Sequence, residues 1–135
     1  MIWECYIGFH DVVEGKERMK KVKYVVDRHE SFSEVESILC NNFEHLSNFE
    51  VLAIKKSKVK EIANAKHHDD DRIYEATLRD IFLTEDGEEK PINYKVFLCA
   101  KDFDKAKDFI SEYIKQGYDL TLVTLKETPF VDIVE

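Results

Sequence analysis

The 135-residue chain, with 44% hydrophobic residues, four Gly and two Pro, has apolar side chains enough for one ordinary core, which excludes a disordered or low-complexity protein. No run of about 18 apolar residues occurs and Met1-Ile2-Trp3-Glu4 does not read as a signal peptide, so a soluble, cytoplasmic protein without a membrane partner is expected. The net charge of −8 lies in the second half: residues 1–66 hold 11 basic against 11 acidic side chains, and residues 67–135 hold 9 against 17, which disfavours nucleic acid as a partner.

Trp3, Cys5, Ile7 and Phe9 alternate with Glu4, Tyr6, Gly8 and His10, the pattern of a half-buried strand. Asp11 to Lys21, charged around Gly15, reads as a mobile hairpin connection, and Val22, Tyr24 and Val26 open a second, antiparallel strand. Ser31 then offers a helix N-cap, with Glu34 three residues on completing a capping box. Phe32, Val35, Ile38, Leu39, Phe43 and Leu46 form one apolar stripe at helical spacing, Asn48 ends the helix, and Phe49 to Lys55 returns as a third strand.

Residues 57–72, SKVKEIANAKHHDDDR, read as a linker with a short helical turn near Glu61 to Ala65. The run His67-His68-Asp69-Asp70-Asp71 crowds metal-ligand types together, yet consecutive side chains diverge on any regular backbone, so no metal site is expected. Beyond it the plan repeats. Tyr74-Glu75-Ala76-Thr77-Leu78 answers Trp3-Glu4-Cys5-Tyr6-Ile7, Asp86-Gly87 makes the turn within Thr84 to Lys90, and Ile92, Tyr94, Val96 and Leu98 alternate in a strand whose other face carries Phe97 and Cys99. Asp102 caps a second helix with the stripe Phe103, Ala106, Phe109, Ile110, Tyr113 and Ile114; Gly117 suits a left-handed C-terminal cap, and Leu120 to Leu125 closes the unit. The fold expected is α+β: two tandem β-β-α-β repeats in one compact domain with antiparallel sheets and two helices, the first unit spanning residues 1–56 and the second, with an apolar C-terminal tail, residues 73–135.

Chemistry is harder to find. Cys5, Cys40 and Cys99 are an odd, widely spaced set and read as buried thiols. Neither His29 nor His45 is placed as a general base, no Gly-rich phosphate loop exists, and Glu4 and Glu75 at equivalent outward strand positions are solvated carboxylates before they are a catalytic pair. A non-enzymatic protein without cofactor is expected. Two charged features remain as binding candidates. Lys16, Arg18, Lys20, Lys21 and Lys23 along the first hairpin form a candidate site for an anionic small molecule, with Lys55, Lys56, Lys58 and Lys60 as a second basic run; Glu85, Asp86, Glu88 and Glu89 form a candidate partner-binding face. The tail Pro129-Phe130-Val131-Asp132-Ile133-Val134 is too apolar for water, and is expected to pack on its own core or to dock on another copy or a partner.

Trp3-Glu4-Cys5, then Tyr24-Val25-Val26-Asp27 leading into Ser31-Phe32-Ser33-Glu34-Val35-Glu36, then Phe49-Glu50-Val51 with Ile54, and the ending Glu127-Thr128-Pro129-Phe130-Val131-Asp132-Ile133, resemble the family of domain of unknown function 4494 over nearly the whole chain. Departures are an extra residue between Asp27 and Ser31, and Ile73-Tyr74 in place of a Trp-Tyr pair. The resemblance implies an origin in Bacteroides-type bacteria or their phages and brings no catalytic residues. With that setting, the expected function is that of an accessory protein binding a host protein in takeover or counter-defence. The alternative is an oligomeric module sequestering a nucleotide-like or other anionic ligand.

Overall fold

The computed structural model describes residues 1–117 and 120–135. Its element order is β1 (Trp3–Val13), β2 (Lys16–Val26), α1 (Phe32–Phe43), β3 (Glu50–Lys56), β4 (Glu61–Asn64), β5 (Arg72–Leu83), β6 (Glu89–Ala100), α2 (Phe103–Ile114), β7 (Thr121–Glu127) and β8 (Phe130–Val134). The protein is α+β, with the expected β-β-α-β plan in each half and two four-stranded sheets ordered β3-β1-β2-β8 and β4-β6-β5-β7.

Two compact units result, residues 1–58 with 129–135 and residues 59–128. In the first, β1 pairs antiparallel with β2 and β3, while β8 joins β2 in parallel. In the second, β5 pairs antiparallel with β6 and β7, while β4 joins β6 in parallel. The sheets are therefore mixed. The segment read as a linker contains strand β4, not a helical turn, and the tail read as an appendage of the second unit completes the first sheet. β4 follows β3 as β8 follows β7, and each adds to the sheet of the other repeat. Glu61 and Ile62 lie beside Val96 and Phe97 as Asp132 and Ile133 lie beside Tyr24 and Val25. Even the irregularities repeat: β1 slips register against β3 between Tyr6 and Ile7, β5 against β7 between Thr77 and Leu78.

The first hairpin departs most from expectation. β1 and β2 stay paired out to Val13 and Lys16, so the span read as a mobile connection is mostly strand. A two-residue turn suffices because Glu14 (φ 53°) and Gly15 (φ 76°) both adopt positive φ, the twist that matches paired strands.

In each unit the helix packs its stripe on one face of the sheet. Val35 and Leu39 of α1 bury against Trp3, Cys5, Ile7 and Val26; Ala106 and Ile110 of α2 bury against Tyr74, Ala76, Leu78, Val96 and Leu98. Ser31 Oγ accepts from Glu34 N (3.3 Å), but the Glu34 carboxylate accepts from Glu30 N and not from Ser31 N, so the capping box closes one residue early. Both stripes are shorter than the spacing predicts. Phe32 and Phe103, at the first helical positions, are about half exposed, and α1 stops at Phe43, before Leu46. Gly117 is not left-handed; α2 ends on Lys115 in helical geometry, followed by tight turns from Gln116 N to Tyr113 O and from Gly117 N to Ile114 O.

Candidate functional site

The five basic residues of the first hairpin do not form one cluster. They lie on β2, where successive side chains face opposite ways, so Lys16, Arg18 and Lys20 share the helix-side face while Lys21 and Lys23 share the outer face. Lys20 Nζ stands 6.0 Å from the Phe9 ring centroid on one side, and Lys23 Nζ stands 5.5 Å from the Tyr6 centroid on the other. Of these five, Lys23 lines a concavity on the outer face.

That concavity, about 320 Å³, is lined on the outer face of the first sheet by Glu4, Tyr6, Lys23, Ala53, Lys55 and Phe130. Strand register builds it: Glu4 and Tyr6 of β1 stand opposite Lys55 and Ala53 of β3, Tyr6 stands opposite Lys23 of β2, and β8 brings Phe130 beside Lys23. Lys55 Nζ lies 4.0 Å from Glu4 Oε1, close enough for attraction and too far for a hydrogen bond. The neighbouring thiol of Cys5 belongs to the opposite face, where burial, helped by the Glu4 charge, pushes it up to about 12. It is no nucleophile. The equivalent position in the second unit is tighter: Glu75 Oε1 lies 3.2 Å from Lys95 Nζ and 3.9 Å from Lys126 Nζ, and Glu75 is the more buried of the two glutamates. Thr77 stands where the first unit has Tyr6.

The acidic set does converge. Thr84 N donates to Glu88 O, Gly87 N to Thr84 O and Glu88 N to Thr84 Oγ1, a turn that carries Glu85, Asp86, Glu88 and Glu89 at the tip of the β5–β6 ribbon. Beyond Arg79, where pairing with β7 stops, Ile81 and Leu83 line one face of the ribbon and Phe82 and Ile92 the other. All four are exposed, Phe82 at 54% and Leu83 at 65%. Sequence reasoning found the acids and missed these apolar neighbours, because an alternating strand pattern does not show where the covering layer ends.

The histidine-aspartate run resolves into a local turn. Asp71 accepts from His67 N (3.0 Å) and His68 N (3.1 Å), and these bonds, first that from His67, hold its carboxyl below its ordinary 3.8. Among the described residues no three His, Cys, Asp or Glu side chains converge on a metal position. Among the described helices, none is long and apolar enough to cross a membrane.

The family model described as Domain of unknown function (DUF4494) matches residues 1–135. No curated protein and no solved structure matches the chain.

Proposed function

The chain belongs to the DUF4494 family, and from that premise we propose that it is a non-enzymatic binding protein which engages another protein through the β5–β6 ribbon. One observation carries the reading: four large apolar side chains, Ile81, Phe82, Leu83 and Ile92, stand in water on both faces of a two-stranded ribbon under an acidic tip. Such a ribbon gains little from its own chain and is marginal in water. The chemistry that fits it is a protein cleft with an apolar floor and a basic rim, the acids speeding encounter and the apolar residues holding the complex. The setting that the sequence resemblance implies makes a host protein the partner to seek.

A photo-crosslinking residue at position 82 or 83, in cells of the natural host, tests this directly, with the exposed helical position 107 as control. A discrete adduct is expected at 82 and 83, absent at 107, and lost when Glu88→Lys and Glu89→Lys are combined. Equal labelling at all three positions would remove the proposal.

A further inference from the structure

We propose that the outer-face cleft of the first sheet binds a nucleoside monophosphate, its base against Tyr6 and Phe130 and its phosphate at Lys23 and Lys55. The volume of about 320 Å³ is at the lower end of small-molecule sites and matches a mononucleotide better than a dinucleotide. Ala53 sets the floor, and its small side chain leaves room that a larger residue on β3 would fill. The Tyr6 ring offers stacking surface to any base, and Phe130 stands beside it as an apolar wall.

The charges select among aromatic ligands. Two ammonium groups surround one carboxylate, so this cleft is locally positive on a protein of net charge −8. Glu4 is held by its nearest cation at 4.0 Å, longer than a hydrogen bond, so its acceptor oxygen is open to an N–H donor on the ligand. An aromatic amine answers that acceptor, and a phosphate answers the two lysines; a nucleotide joins both. Stacking of the base on Tyr6 displaces the Lys23 ammonium from the ring, where it now lies 5.5 Å from the centroid, toward the phosphate.

The duplication supplies an internal comparison. The same glutamate and two lysines occur as Glu75, Lys95 and Lys126, but there an ammonium closes to 3.2 Å and the stacking position is Thr77. An arrangement kept for charge balance alone would need neither the open pair nor the rings found in the first unit.

Isothermal titration of the full chain with the four ribonucleoside 5′-monophosphates, their nucleosides and inorganic phosphate tests the assignment. At least one monophosphate should bind with Kd on the order of 10–100 μM, and its nucleoside at least about tenfold more weakly. Lys23→Gln and Tyr6→Ala should each weaken binding about tenfold or more, whereas Lys126→Gln, the counterpart in the second unit, should leave it unchanged; circular dichroism checks that each variant is folded. Absence of heat from every monophosphate at about 5 mM would overturn the proposal. So would inorganic phosphate binding as tightly as the nucleotide, since the rings would then contribute nothing, or equal losses from Lys23→Gln and Lys126→Gln.

Discussion

At the scale of single residues, the buried groups make the sharpest predictions. Cys5 and Cys99 are nearly inaccessible and Cys40 lies partly open on α1. Since the thiolate is the reactive form, and burial keeps the Cys5 thiol protonated, a disulfide reagent at pH 8 should titrate one thiol in the native protein and three after denaturation. Cys40→Ser should reduce the native count to zero. Asp71 gives a pH test. Its carboxyl is held below 3.8 in the folded chain by the His67 and His68 amides, so the stabilisation is full above 3.8 and is lost as pH falls through the lower folded value. Asp71→Ala should therefore lower the melting temperature at pH 7 and narrow its gap to the parent as the pH drops toward 3; a constant gap would exclude the linkage. The sequence showed the crowding of His67 to Asp71 and the poor prospects of a metal site there, but not that one carboxylate folds back on the amides, because that depends on a turn set by the strands on either side.

At the scale of elements, legibility followed periodicity. The helices and their caps could be placed from Ser31, Asp102 and the buried pairs Val35 with Leu39 and Ala106 with Ile110, since a stripe at helical spacing must meet a sheet. Strand ends were less legible. The tip of the first hairpin looked like a loop because it is charged, whereas a ribbon bare on both faces is charged for the same reason a loop is. The deciding feature is the pair of positive φ angles at Glu14 and Gly15. An L residue with a Cβ is strained there, so Glu14→Asn should stabilise the protein by roughly 0.5 kcal/mol and Gly15→Ala should destabilise it by about 1 kcal/mol, read as shifts of the urea midpoint. If the turn were a mobile loop, neither change would move the midpoint. The candidate site behaved likewise: the acids of the β5–β6 turn were legible as a group because a turn gathers neighbours, while the basic residues of β2 were not separable into faces until the strand was known to reach Lys16.

At the scale of the whole molecule, the repeat is of β-β-α-β-β form, with the final strand of each copy given to the sheet of the other. The sequence contained the trace, since Glu61-Ile62 and Asp132-Ile133 fall at equivalent places after β3 and β7. Strand pairing over such separations leaves no local pattern, and it is also why Phe130 was not foreseen as a wall of the outer-face cleft. The exchange has a mechanical consequence. β2 is hydrogen-bonded to β8 through Lys23 to Val26, Asp27 N donates to Val134 O at 2.9 Å, and Val134 packs on the core under α1. Deleting residues 129–135 would strip an apolar strand edge and the flank of that core, and would leave the Asp27 amide without the Val134 carbonyl that accepts from it. The single change Val134→Asp places a carboxylate against the apolar cluster that holds Trp3, Cys5, Ile7 and Val26, a cost of about 2–4 kcal/mol. Thermal unfolding followed by circular dichroism should then show the midpoint lowered by roughly 5 °C or more for Val134→Asp, and further for the deletion. Titration of monophosphates should fail for the deletion, which removes Phe130, and survive for Val134→Asp below its melting point, since Val134 faces away from the cleft. A deletion variant that melts within 2 °C of the parent would mean that β8 is an ornament of the first sheet and not its closing strand.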